Sequence, residues 1–383
     1  MQNHLTEQDL REAVALVEQH GSVRKASVAT GVPRTTMRNR LQTAYERYGL
    51  EPNVLAIPVP EGYQIVKSTL HVKDGEVVQS WPRVMPIAED VERFVERMVE
   101  HVSGKAKAIP VPRVVDSADI AEIIIGDPHA GMYAWANETG DEGYDLDAFR
   151  RLHTEGPAHL LGRIGRVERL VLAYLGDLFH TDNRSKMTER SGNVLDTSAR
   201  WGEIINVTTD TTLATIELAA RQCQHLDVVI IPGNHDWHSS QWLQRVLAAY
   251  FRRTPHIHIV QQDQNVVFLE HEKILLGYTH GDRVPAARLQ GVMSHRCAEA
   301  WGRTTCRYWR CGHFHQGKRF RPHWDQDDAS SCIVEYFPSL APLEAYSAEM
   351  GLHARRAMIA VRHNPDHGEI ARYCVTPGLL KES

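Results

Sequence analysis

The sequence predicts an α/β layered domain over residues 119–383, preceded by a small all-α module over 1–48 and joined to it by a linker over 49–118. Three observations predict this. From residue 122 onward, five apolar runs (EIIIG, RLVLAYLG, DVVIIPG, KILLGYT and CRYWRCG) alternate with helical stretches, the pattern of layered strands and helices. Residues 5–48 instead repeat apolar side chains at helical spacing. Between the two, prolines at 52, 58, 60, 82, 86, 110 and 112 interrupt regular structure.

Taken in order, the first expected helix carries Leu10, Ala13, Val14 and Val17 on one face. Ser22 can cap the second, Gly31 marks a turn, and Pro33 suits the first turn of the third. Met37, Leu41, Ala44 and Tyr48 are expected to face inward. In the linker, Asp74-Gly75 can turn a small hairpin and 89–102 reads as an amphipathic helix. The stretch from Arg184 to Gln224 reads as a helical insertion whose cations, Arg184, Lys186 and Arg190, suit a solvated face.

Composition narrows the function classes. At 42% hydrophobic residues, the chain can fill a sizeable core, so disorder is excluded as its default state. It has no apolar stretch of the ~18 residues needed to span a bilayer and no signal-peptide pattern at its start, which reads as cytoplasmic with no membrane partner. Six cysteines without CxxC pairs suit buried free thiols in a reducing compartment. A net charge of -5 excludes a wholly basic nucleic-acid binder, so any DNA contact must come from a local patch. The 22 histidines point to metal or acid–base chemistry only where they cluster.

They do cluster. Each of the five runs is followed at once by polar residues able to ligate: Asp127 and His129; Asp177 and His180; Asn234, His235 and Asp236; His280; His313 and His315. Ligands gather beyond the carboxyl ends of strands in open α/β sheets, so five such loops can converge on one site. Imidazole, carboxylate and amide oxygen without cysteine suit divalent ions such as Mn²⁺, Fe²⁺ or Zn²⁺.

The segments GDPHAG, LGDLFHTDN, PGNHDW, YTHGD and CGHFH resemble the five motifs of calcineurin-like metallophosphoesterases, over about residues 120 to 345. The resemblance implies a two-layer-sheet α/β sandwich and a two-metal centre. It gives one ion Asp127, His129 and His315, the other Asn234, His280 and His313, and makes Asp177 the bridge. Mn²⁺ is the first expectation for both ions. Two carboxylates and a bridging hydroxide would leave such a centre near +1, attractive to phosphate, and paired ions hold both attacking and leaving oxygens of an in-line displacement. The resemblance also gives His235 the leaving-group proton, with Asp236 orienting its ring.

The second motif is similar to that of SbcD-type DNA-repair nucleases, in which the histidine at the place of His180 positions the scissile phosphodiester; the arginine signature of Ser/Thr protein phosphatases is absent. The chain departs from SbcD-type enzymes, which continue into a sizeable capping domain, in that only about 40 residues follow Pro342, so their duplex-end positioning and ATPase partner are not carried over as expectations. Residues 22–44 resemble Fis-like or Psq-like helix-turn-helix proteins, and Arg24, Lys25, Arg34, Arg38, Arg40 and Arg47 face a single acid, Glu46. Arg34, Thr35, Arg38, Asn39 and Gln42 would form the DNA-reading face. The combined expectation is a DNA-directed metallophosphodiesterase, a nuclease placed by its helix-turn-helix. The alternatives are a Ser/Thr-type phosphatase, a cyclic-nucleotide phosphodiesterase, or a DNA-binding regulator with the phosphoesterase domain as scaffold. Protein partners and oligomeric state stay open, a homo-oligomer included.

Overall fold

The structure, a computed structural model, describes residues 6–48, 63–73, 76–86, 96, 99–113, 118–140, 142–183, 186–187, 194–315, 318–320, 332–343 and 354–381. The chain divides into two compact units, Met1–Phe94 and Val95–Ser383. Among the described residues no helix is long and apolar enough to cross a membrane.

The first unit holds helices α1 (Glu7–His20), α2 (Val23–Thr30) and α3 (Arg34–Tyr48). Thr6 and Asp9 close a capping box on α1, and the Ser22 hydroxyl accepts the Lys25 N–H at 3.2 Å to start α2. Gly31 ends α2 at φ 72°, a conformation only glycine takes without strain. The inner face of α1 is buried as its spacing predicts, against Ala26, Met37 and Ala44. Tyr48 does not face inward: it is 44% exposed, one turn beyond the last core layer of Leu10, Val14 and Ala44. Arg40, one of the module's cations expected to contact DNA, lies off the reading face. At 100° per residue it falls beside Met37 and Ala44, half-buried, with its charge acting on Asp9 of α1. Arg24, Lys25, Arg34, Thr35, Arg38, Asn39 and Gln42 are all exposed.

Strands β1 (Tyr63–Lys73) and β2 (Glu76–Pro86) pair antiparallel around the expected turn at 74–75, which lies outside the described residues. Most of the expected helix over 89–102 also lies outside them; helical backbone is described at 96 and 99–102. Arg184 and Arg190 lie outside them too, while Lys186 is exposed.

The second unit is a sandwich of two sheets. Strands β3 (Ile120–Ile125), β4 (Val167–Tyr174), β5 (Cys223–Ile230) and β6 (Ile257–Val260) run parallel in one. Strands β7 (Val266–His271), β8 (Ile274–Thr279), β9 (Cys306–Cys311), β10 (Lys318–Phe320) and β11 (Ile333–Tyr336) build the other in the order β10-β11-β9-β8-β7, with β8, β9 and β11 parallel. The antiparallel pair β12 (Met358–Asn364) and β13 (Gly368–Val375) completes the first sheet against β3. All five apolar runs read from the sequence are strands.

Alternation along each strand divides the core. Ile120 and Ile124 of β3, Val171 and Ala173 of β4 and Val229 of β5 meet Ile274, Leu276 and Tyr278 of β8 between the sheets. The intervening Ala121, Ile123, Leu170, Leu172 and Val228 face outward, against helices α4 (Leu146–Ile164), α5 (Trp201–Ala219) and α6 (Trp237–Tyr250). Helices α7 (Ala286–Arg296) and α8 (Ala298–Arg303) cover the other sheet through Leu289, Met293 and Trp301. Among the cysteines, all free, Cys223, Cys311 and Cys332 are buried and the other three half-buried.

An ionic group crosses this apolar interior. Arg310 of β9 and Glu122 of β3 are fully buried and paired at 2.7 Å, and Tyr278 donates to the same carboxylate at 2.7 Å, as His363 does at 2.7 Å. Arg310 reaches Glu335 at 3.1 Å, and Glu335 reaches Arg372 at 2.6 Å, so four charges from both sheets neutralise one another. Burial opposes ionisation of Glu122, but Arg310 and His363 hold its carboxyl well below the usual range.

Candidate metal centre

Parallel strands set the site. The loops after β3, β4 and β5 in one sheet and after β8 and β9 in the other leave the same end of the sandwich and bring all seven expected ligands together. Three groups of donors lie within ligating distance of one another: Asp127, His129 and His315; Asp177, His280 and His313; and His129, His180 and His235. Asn234 Oδ1 joins the second at 2.9 Å from His280 Nε2. Asp177 sits with the second group, and the two adjoin where His280 Nδ1 comes 3.7 Å from Asp127 Oδ1.

The backbone is strained where it holds these residues. Among the described non-glycine residues seven have positive φ, and five of them are Asp127 (41°), His129 (48°), Asp177 (49°), His313 (70°) and His315 (50°). Left-handed backbone costs an L-residue of this kind ~1–3 kcal/mol and is kept where the surroundings enforce it, most often at functional sites. The enforcement is visible. His129 N–H donates to the Asp177 carbonyl at 2.9 Å, His313 N–H to the Asp127 carboxylate at 2.9 Å, and His235 N–H to Asp177 Oδ1 at 2.8 Å. Gly233 permits this approach, because a Cβ there would run into the Asp177 carboxylate and its backbone nitrogen.

The donor set calls for cations. His280 Nδ1 donates to the Leu175 carbonyl at 2.8 Å, which turns Nε2 toward Asn234 Oδ1, Asp177 Oδ2 at 3.3 Å and His313 Nδ1 at 3.2 Å. Those partners bring a carboxylate oxygen, an amide oxygen and a second imidazole nitrogen to one point. Burial alone would lower the His280 pKa, yet Asp177 and Asp127 push it up to about 10, so the two carboxylates favour a positive charge at this point, which a divalent ion would supply in place of the proton. His129 Nε2 and His315 Nε2 likewise meet at 3.4 Å. Burial keeps both rings neutral, His315 down to about 4, and neutral imidazole is the ligating form. The residues fit two divalent ions of the kind that N,O sites prefer.

Two expected roles need restating. Asp236 does not orient the His235 ring. It is fully buried, and its carboxylate accepts the N–H groups of Asp177 at 3.2 Å, Leu178 at 2.8 Å, Phe179 at 3.2 Å and Gly233 at 2.8 Å, with the Ser240 hydroxyl at 2.7 Å. One side chain therefore satisfies the turn after β4 and ties it to the turn after β5. The ring of His235 is instead held by its Nδ1, which donates to the His180 carbonyl at 2.9 Å. His180 is buried behind the site, stacked on His235 with centroids 5.5 Å apart and with Nδ1 3.3 Å from His129 Nδ1. Its pKa is lowered to about 3 by burial, so its ring is neutral.

Sequence reading missed Asp182. Its carboxylate accepts the His238 N–H at 2.6 Å, the Ser239 N–H at 2.9 Å and the Ser239 hydroxyl, capping α6 from 56 residues away in the chain. No local pattern announces a cap supplied by another loop. Ser339 was missed for the same reason: its hydroxyl donates to the Asp127 carbonyl at 2.7 Å across 212 residues.

Asp127, His129, Asp177, His180 and His280 are buried, whereas Asn234, His235, His313 and His315 are half-buried and form the accessible wall.

No family model matches the chain, and no curated protein matches it. Among solved structures it is similar to a conserved uncharacterized protein of Streptococcus pneumoniae TIGR4 described as a predicted phosphoesterase, at 11% identity and a TM-score of 0.27, over 67% of this chain and 98% of that one. A likeness at that score carries no weight, and the reading of the site rests on this chain's own strands and side chains.

Proposed function

We propose that the protein is a two-metal phosphodiesterase acting on DNA, a nuclease positioned by its N-terminal three-helix unit. The observation that carries the enzyme reading is the convergence of seven nitrogen and oxygen donors, five of them on left-handed backbone, beside a histidine anchored by its Nδ1. Divalent ions bound there would activate water as the nucleophile and neutralise charge on the phosphoryl oxygens, with Mn²⁺ the first expectation and Fe²⁺ or Zn²⁺ the alternatives. The chain's own residues do the rest. The His180 carbonyl fixes the Nδ1 proton of His235, which leaves Nε2 as the nitrogen that, when the ring carries its second proton, gives that proton to the leaving oxygen and returns the ring to neutral. His180, neutral and packed behind His235, keeps that ring in place. Asp177 would bridge the two groups of donors, the role that the resemblance gives it.

Choice of a diester rests on the motif: His180 stands where monoesterases of the resembled family carry a phosphate-gripping arginine, and, buried behind His235, it acts through that ring and not on the phosphate itself. With Mn²⁺, kcat/KM for bis(p-nitrophenyl) phosphate should exceed that for p-nitrophenyl phosphate. A clear preference for the monoester would overturn the nuclease reading in favour of a phosphatase.

DNA as substrate draws support from the first unit. Arg34, Thr35, Arg38, Asn39 and Gln42 share one exposed face of α3. Each phosphate contact contributes about 0.9 to the slope of log affinity against log salt for duplex DNA, so Arg34→Ala with Arg38→Ala should flatten that slope by roughly 1.8. An unchanged slope would assign the three helices to protein contacts.

A further inference from the structure

We infer that a single-stranded nucleic acid leaves the metal centre through a trough built by Phe314, Tyr336 and Arg283 and continued along α7; the inference rests on the phosphodiesterase reading and names the form of its substrate. The trough begins at the open wall. Phe314 lies between His313 and His315, yet its ring is 53% exposed, an unusual place for a large apolar side chain. Tyr336 backs it, with ring centroids 5.0 Å apart, and His313 flanks it at 5.1 Å. Together with Asp282, Arg283 and Pro285 these rings line a cleft of about 430 Å³ directly beyond the ligands His280 and His313. Arg283 stacks over Trp237, the residue after Asp236, at 4.8 Å.

A second cleft shares Arg283, Val284 and Pro285 with the first and runs on past Arg288, His295 and Arg296, so the two form one channel. All four cationic or titratable side chains are exposed, and α7 contains no acid. Among the residues lining the two clefts the one carboxylate is Asp282, at the inner end next to the aromatic wall, with Oδ2 3.4 Å from Arg283 Nε. That distribution sorts the occupant's parts. An aromatic face and a carboxylate suit a base, whose plane stacks and whose amine or imide donates; phosphates suit the outer, basic stretch. Aromatic platforms joined to a basic track are how sequence-tolerant single-strand sites are made. A duplex presents its bases already stacked and offers no plane to Phe314.

The test is binding of a short fluorescein-labelled thymidylate strand with phosphorothioate linkages to the full chain, followed by anisotropy over a salt series. Phe314→Ala should weaken binding by about 5- to 100-fold, the range stacking of one base supports, and Phe314→Tyr should restore it. Arg288→Gln should lower the salt slope by about 0.7, one single-strand phosphate contact. Parent-like binding and slope in both substitutions would overturn the trough. So would a polyglutamate peptide that competes as well as the strand, since that would show a general anion surface. Hydrolysis of bis(p-nitrophenyl) phosphate by the unmodified protein separates the two readings. Turnover with substitution-insensitive strand binding removes the trough alone, and substitution-sensitive binding without turnover removes the phosphodiesterase alone.

Discussion

Replacing His235 by alanine is expected to lower kcat on DNA by about 10²–10⁴-fold while leaving the metal content unchanged. His235 stands at the accessible wall with Nδ1 committed to the His180 carbonyl, and the two groups that contain carboxylates are complete without it. Asp177→Ala should behave differently. Asp177 faces His280 Nε2, accepts the His235 N–H and lies in the densest part of the charge cluster, so its loss should lower the bound metal itself. The two variants must then differ in composition as well as speed. A nitrophenolate leaves readily without a proton, so bis(p-nitrophenyl) phosphate should suffer less from His235→Ala than DNA does. The group of His129, His180 and His235 also lies within ligating distance, which sets the contrary result: if His235→Ala loses metal as Asp177→Ala does, His235 is a ligand and not the acid.

The largest effect on stability is expected at Glu122. Glu122→Ala leaves Arg310 charged in the middle of the sandwich with only Glu335 beside it, and breaking a buried pair in this way typically costs about 3–5 kcal/mol. Replacing both partners with apolar side chains of similar volume should recover much of that loss, because the isolated charge goes with them. The pH dependence has a definite sign. The carboxyl of Glu122 titrates lower in the folded chain than its ordinary 4.5, so the stability it contributes is complete above about 4.5 and falls away as the pH drops toward its folded value. Denaturant unfolding at pH 7 and pH 4 should show the parent losing stability on acidification, and Glu122→Gln losing less. A loss under about 1 kcal/mol for Glu122→Ala at neutral pH would mean that Glu335 alone serves Arg310.

Legibility tracked chain distance. The ligands were readable because each follows a strand within a few residues, and parallel strands deliver their carboxyl ends to one side whatever lies between them. The helices of the first unit were readable because their spacing and caps are local: Thr6 bonds to Asp9 and Ser22 to Lys25. Arg40 was counted with the module's cations but not on its reading face, and helical periodicity accounts for that: it falls beside Met37 and Ala44. Asp236 is a different case. Its position after His235 suggests a partner for that ring, but three of its five donors, the N–H groups of Asp177, Leu178 and Phe179, come from the loop after β4 brought in by folding, and no spacing encodes them. The same holds for Asp182, for Ser339 and for Glu122 with Arg310, 188 residues apart in the chain. Strands β12 and β13 escaped notice because half of their positions carry charged or half-buried side chains, which weakens the apolar run that marked the other strands.

The most direct measurement is titration of metal-depleted protein with Mn²⁺ while hydrolysis of bis(p-nitrophenyl) phosphate and bound metal are both followed. Two groups of donors that share one site should give no turnover without metal, and a rate that rises to a plateau at two ions per chain. Turnover that survives chelation, or a protein that binds no divalent ion with all seven donors intact, would contradict it.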